Sequence, residues 1–163
     1  MGLFSSKKKV TVDDFSKTIM VAAIEAVGRV ECFNDVDDGK SLAVNMGYFM
    51  GYIQLQLSTI TKLDLVDEVM SKTLRNIDEA TKGSVSIENF GYTVRSIANN
   101  AIANMKYTSK ETDNPFMGMA VFYMCDLFNS TTLNIDLVDT AEKNMRLLYG
   151  MAGAIVKDIK IVK

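Results

Sequence analysis

Residues 41–61 read SLAVNMGYFMGYIQLQLSTIT and carry no charged side chain. In a chain whose charged fraction is 23%, so long an uncharged run is either a membrane span or a helix enclosed by protein. Asn45, Gln54, Gln56, Ser58 and Thr59 are costly groups in hydrocarbon, which favours protein. The run therefore predicts a buried central helix over about 42–60. The rest of the fold reading asks what encloses it.

Helical periodicity supplies the neighbours. Upstream, Val12, Phe15, Ile19, Ala23, Ala26, Val30 and Phe33 recur in steps of three and four, predicting a helix over about 12–33 capped by the Thr11 hydroxyl. Downstream, Val66, Met70, Leu74 and Ile77 predict a helix from the cap Asp64 to about Thr81. Glu68–Lys72 and Arg75–Glu79 are outward pairs four apart on it. Gly83 interrupts the chain. A fourth helix follows the cap Ser86 and reaches about Tyr107. Asn114-Pro115 opens a fifth that ends near Asn129, because proline at the first helical position loses no hydrogen bond. A sixth spans about 136–161, with Val138, Ala141, Met145, Leu148, Ala152, Ile155 and Ile159 along a narrow seam.

The two halves match. Val10, Phe15 and Thr18 recur as Val85, Phe90 and Thr93 within aligned cap-and-helix segments, and Asp64-Leu65-Val66-Asp67 recurs as Asp136-Leu137-Val138-Asp139. The expected architecture is all-α. It is a six-helix bundle formed by tandem duplication of a three-helix unit, residues 10–82 and 85–161, with pseudo-twofold symmetry. The second and fifth helices would lie at its centre. Residues 1–9 form a flexible basic tail and residues 10–163 one helical domain.

Composition excludes whole chemistries. There is no histidine, hence no Ser-His or Cys-His site and no Glu-x-x-His di-metal site. Net charge is −2, so no strong electrostatic case exists for nucleic acid. Cys32 and Cys125 lie far apart and read as reduced, buried residues of a cytoplasmic protein. No secretory signal is visible. Glu25 and Arg29, one turn apart in the otherwise uncharged run 19–30, read as an edge salt bridge.

Asp78 to Phe90 resembles an EF-hand loop in spacing. Gly83 falls at the turn glycine, Val85 at the apolar position and Ser86 at the ninth. Ala80 and Lys82 stand where oxygen ligands belong, and Asn89 where a bidentate glutamate belongs. The acidic turn Asn34–Gly39 likewise has Val36 at a ligand position. Neither a metal nor any other cofactor is expected.

Three constellations remain. Ala43, Gly47 and Gly51 recur every four residues, a stripe that admits another helix closely, with Gly118 on the fifth helix as its expected partner. Tyr48, Tyr52 and Tyr123 either line an apolar cavity between the second and fifth helices or finish the core. Met1-Gly2-Leu3-Phe4-Ser5-Ser6 fits the N-myristoylation pattern at Gly2, and Lys7-Lys8-Lys9 follow it. Together these could bring the chain to the periphery of a membrane.

These readings point to a non-enzymatic helical interaction module or structural subunit whose partner is a protein, itself or another. The expected contact is the exposed remainder of the sixth helix: Met145, Leu148, Ala152, Ile155 and Ile159. Gly150 and Gly153 would allow close packing there. The alternative is a small apolar-ligand binder.

Overall fold

The computed structural model describes residues 7–85, 87–130 and 134–162, so the acylation candidate Gly2 and the cap candidate Ser86 lie outside the described residues. Along them the chain runs β1 (Lys8–Thr11), α1 (Val12–Val27), α2 (Asp38–Leu57), α3 (Leu63–Thr81), α4 (Phe90–Glu111), α5 (Pro115–Phe128), a 3-10 turn (Ile135–Leu137), α6 (Val138–Val156) and β2 (Ile159–Val162). The fold is all-α apart from the two short strands. Among the described residues, no helix is long and apolar enough to cross a membrane.

Local chemistry starts the helices. The Asp14 N–H donates to Thr11 Oγ1 at 3.1 Å, satisfying an orphan donor and opening α1. The Lys40 N–H donates to Asp37 Oδ1 at 3.0 Å and opens α2 within the acidic turn. Asn114 caps α5, with Pro115 in its first turn. Gly83, at φ +79°, supplies the left-handed step that ends the α3 segment.

Helix α2 is the axis of the bundle. Every residue from Ala43 to Ile53 is buried, and α4, α6, α1, α5 and α3 all pack against it. Its broadest neighbour is α4. The small-residue stripe explains why. A Cβ on Gly47 would stand 2.4 Å from Ile97 Cγ2, and one on Gly51 would stand 2.9 Å from the Ala98 carbonyl oxygen. The α4 backbone occupies that room.

Several expectations are corrected. The pseudo-twofold arrangement is absent from the helix pairing. Helix α1 packs on α3, whereas α4 and α6 share at most marginal contact, and the broad α2–α4 packing has no counterpart between α5 and α1. Helix α5 is half-covered on a flank rather than central. Phe15 and Phe90 are both buried, but Val66 is buried while Val138 is half-buried. Of the matched segments only the first is a capped start, at Thr11; α4 opens at Phe90 behind Asn89, and α3 opens at Leu63 behind Lys62 rather than at the expected cap Asp64, both without a side-chain cap bond. The match records nothing about which helix lies beside which.

The sixth helix stops at Val156 rather than near Ile161. Lys157 is extended, Asp158 turns through φ 62°, and β2 pairs in parallel with β1 in the register Lys8↔Ile159 to Thr11↔Val162. Ile159 and Ile161 face inward and Lys160 outward, the alternation of a strand. Lys8 and Lys9, expected in the tail, thus belong to a strand. The first helix ends at Val27, capped by Gly28. Arg29 therefore lies outside it, and Glu25 and Arg29 make no ion pair among the described residues. Cys32, in the irregular segment that follows, is exposed and Cys125 only half-buried. Lys72 pairs with Asp13 rather than with Glu68.

Candidate functional site

The most polar part of the interior lies where α2, α5 and α6 meet. The Tyr123 hydroxyl on α5 donates to Asn45 Oδ1 on α2 at 2.6 Å. It also accepts from Asn144 Nδ2 on α6 at 3.4 Å. Asn144 reaches past it to the backbone of Glu31, accepting from its N–H and donating to its carbonyl, both at 2.9 Å. That amide pair holds the irregular segment after α1 against the bundle. Asn45 donates onward to Ser41 Oγ at 3.2 Å.

Tyr48 and Tyr52 point elsewhere. The Tyr48 hydroxyl donates to Asp126 Oδ2 at 2.8 Å, and the Tyr52 hydroxyl meets Met145 Sδ at 3.3 Å. The rings pack edge to face, Tyr48 against Tyr123 at 5.3 Å and against Tyr52 at 6.4 Å between centroids, the geometry their quadrupoles favour. The tyrosines fill the space between α2 and α5.

The electrostatics keep the three phenols as hydrogen-bond donors. Burial, first of all, holds the Tyr48, Tyr52 and Tyr123 phenols above their ordinary range, so all three stay protonated. Burial also raises Asp126, against the lowering effects of the Tyr48 hydrogen bond and the Lys40 charge. Burial lowers Lys40, partly offset by Asp126. Among the described residues, no buried side-chain polar atom lacks a partner. The network's chemistry is to fix helices in register.

The residues singled out in the sequence fall mostly inside. Met145, Leu148, Ala152 and Ile159 are buried in the core, and only Ile155 is half-exposed. The seam is covered because α2, α5 and α1 pack on α6 and β1 pairs with β2. Gly118 fits against the Thr108 side chain of α4 rather than against the α2 stripe, Gly153 lies against Gln56, and Gly150 faces open space. Asp78 Oδ1 accepts from the Gly91 N–H at 3.0 Å. That carboxylate therefore pins the start of α4, beside a cleft of about 420 Å³ that also takes in Glu79, Lys82 and Glu88. Among the described residues, no three His, Cys, Asp or Glu side chains converge to hold a metal.

Two surfaces emerge that sequence reasoning did not place. On α1, Val21 and Ile24 are each 51% exposed. With Lys17, Thr18, Ala22 and Glu25 of α1, Val21 lines a shallow cleft of about 490 Å³ closed by Ile155 of α6. The available signal was the run 19–30 itself, which is apolar on its outward as well as its inward face. At the strand end, Lys7, Leu55, Ile60, Tyr149, Val156 and Lys157 line a second cleft of about 580 Å³. Packing of α2 on α6, with the Gln56 amide donating to the Tyr149 carbonyl at 3.1 Å, and the β1–β2 pairing together bring these distant segments into one place. Comparison with known proteins found no matching family model, no matching curated protein and no matching solved structure.

Proposed function

We propose that this chain is a non-enzymatic protein-interaction module that associates through the outward face of α1. The observation that carries the reading is the exposure of Val21 and Ile24 on α1, with Val21 sharing a cleft with the half-buried Ile155. Apolar side chains grouped on a helix whose other face is already buried gain by leaving water. Burying the exposed half of each contributes about 1 kcal/mol. A contact of that size is transient when a second copy supplies the other side, and grows with a partner that covers more of α1. The internal polar groups support the reading because they are engaged in holding helices to one another.

Sedimentation velocity across a concentration series tests it on the full chain. The wild type is expected to show a concentration-dependent rise in sedimentation coefficient. The double variant Val21→Gln, Ile24→Gln should sediment as a monomer throughout and melt at nearly the same temperature, since exposed substitutions shift stability by about 0.5 kcal/mol or less. A wild type that stays monomeric at every concentration removes the self-associating form of the proposal. A variant that unfolds shows that the face belongs to the core.

A further inference from the structure

The strand end of the bundle gathers basic charge from remote parts of the chain. Parallel pairing sets Lys9 opposite Lys160, so the two side chains leave the same face of adjacent strands, about 4.8 Å apart at the backbone. Both are exposed, and neither has an ion pair among the described residues. Like charges placed directly opposite one another oppose the pairing. An anion placed over both lysines would relieve that repulsion.

The same end carries more of this chemistry. Lys7 and Lys157 line one cleft with Ile60, and Lys8 is exposed on β1. The contacts Lys72–Asp13 and Asn76–Ser16 show that α3 runs parallel to α1. Leu63, nine residues before Lys72, therefore projects about 13 Å beyond that contact, past the start of α1. It brings Lys62 with it. Leu63 is 69% exposed and Ile60 42%. The acidic groups at this end are Asp14, engaged by the Thr11 hydroxyl, Asp13, paired with Lys72, and the exposed Asp64, Asp67, Glu68 and Asp158. Lysines outnumber the carboxylates left unengaged.

We infer that this end, with Lys7, Lys9, Lys157 and Lys160 around Ile60 and Leu63, docks on an anionic lipid bilayer. A flat sheet of negative headgroups over hydrocarbon complements lysines surrounding exposed aliphatic side chains, where each part alone would bind weakly. In the sequence, the myristoylation-pattern segment Met1–Ser6 directly precedes Lys7. The inference is separate from the α1 proposal and uses different residues.

Flotation of the full, unacylated chain with vesicles tests it. The probe is phosphatidylcholine with about one-third phosphatidylserine, compared with phosphatidylcholine alone. The chain is expected to float with the anionic vesicles only, and to be released by added salt. Lys9→Gln with Lys160→Gln should weaken partition about 25-fold, about fivefold for each lysine, and melt no lower than the wild type. Val21→Gln with Ile24→Gln should float as the wild type does, so failure of one proposal is distinguishable from failure of the other. No binding to anionic vesicles at low salt overturns the inference. So does equal binding to neutral vesicles, or a lysine variant that floats undiminished. Tight retention on single-stranded RNA with no flotation would assign the lysines to nucleic acid and overturn it as well.

Discussion

Helices α2 and α5 are the two charge-poor helices of the molecule, and they occupy opposite kinds of place. Helix α2 is enclosed from Ala43 to Ile53. Helix α5 buries Met119, Ala120, Tyr123, Met124 and Leu127 and leaves the rest of its surface partly open. Yet α5 is the more apolar of the two by mean hydropathy. Apolarity therefore does not choose the central helix. Side-chain size along one stripe does, because Ala43, Gly47 and Gly51 let α4 come against the α2 backbone and seal it. Gly118 is a single small residue facing one threonine, and no helix closes over α5 in the same way.

The largest expected effect breaks that stripe. A Cβ at position 51 would meet the Ala98 carbonyl oxygen at 2.9 Å and the Ala101 Cβ at 3.1 Å. These are backbone-fixed atoms, so α2 and α4 must separate. Gly51→Ala should cost about 2 kcal/mol, even though alanine favours helix by about 1 kcal/mol. Gly118→Ala meets the Thr108 Cγ2 first, at 2.6 Å, a side-chain atom that can turn away, and the Thr108 Cβ at 3.1 Å but no backbone oxygen, and should change stability by about 1 kcal/mol. Urea unfolding of both variants measures the difference. Equal losses would mean that close approach is not what separates α2 from α5.

This distinction shows why some of the fold was legible and some was not. Helix boundaries are local, so Thr11 and Asn114-Pro115 announce the starts of α1 and α5, Gly83 the end of α3, and the six helices can be read directly. Neighbours are not local. The match between 10–19 and 85–94 pairs a capped helix start with a turn that delays α4 to Phe90, and nothing in it records that α2 pairs broadly with α4 and α5 not with α1. The end of α6 was ambiguous for a different reason. Ile155 and Ile159 are four apart, which suits a helix, while Ile159 and Ile161 are two apart, which suits a strand. Only β1, from the other end of the chain, decides between them. The α1 surface was hidden because the reading of α1 followed only its Phe15–Ile19–Ala23–Ala26 face, while Val21 and Ile24 are apolar on the other and nothing local says whether that face is covered.

The polar link between the two helices should have the next largest effect. Tyr123→Phe removes the donor to Asn45 Oδ1 and the acceptor of Asn144 Nδ2. The Asn45 oxygen is then left in the core without its donor, at a cost of about 1 to 2 kcal/mol. Tyr52→Phe gives up only a contact with the Met145 sulfur, a weak acceptor, and should cost about 0.5 kcal/mol or less. Thermal melts of the two variants sharpen the comparison. If both losses are equal, the Tyr123–Asn45 bond adds nothing to what holds α5 against α2.

The smallest effect separates the flank from the axis by pH. Asp126 lies on the half-open side of α5 and accepts from the Tyr48 hydroxyl of α2. Burial raises its pKa, and the Tyr48 hydrogen bond and the Lys40 charge reverse only part of that. A carboxyl raised on folding binds its proton more tightly in the folded state than in the unfolded one. Its contribution to stability is therefore full in acid, below the unfolded carboxylate range, and lost as pH rises through the folded value. An amide has no charge to desolvate and keeps an oxygen for Tyr48. Asp126→Asn should thus be slightly more stable than the wild type at neutral pH, by about 0.5 kcal/mol or less. The gain should shrink toward zero as pH falls below about 4. Glu142, whose carboxyl the Arg146 hydrogen bond lowers, loses its stabilising contribution as pH falls in both proteins alike, so it cancels in the difference. Paired urea titrations at several pH values read that difference directly. A variant less stable than the wild type at neutral pH would mean that the charge on Asp126, rather than its oxygen, is what holds Tyr48 and Lys40. The flank of α5 would then be anchored by an ion pair, and the contrast with the neutral packing of α2 would be sharper than hydrogen bonding alone makes it.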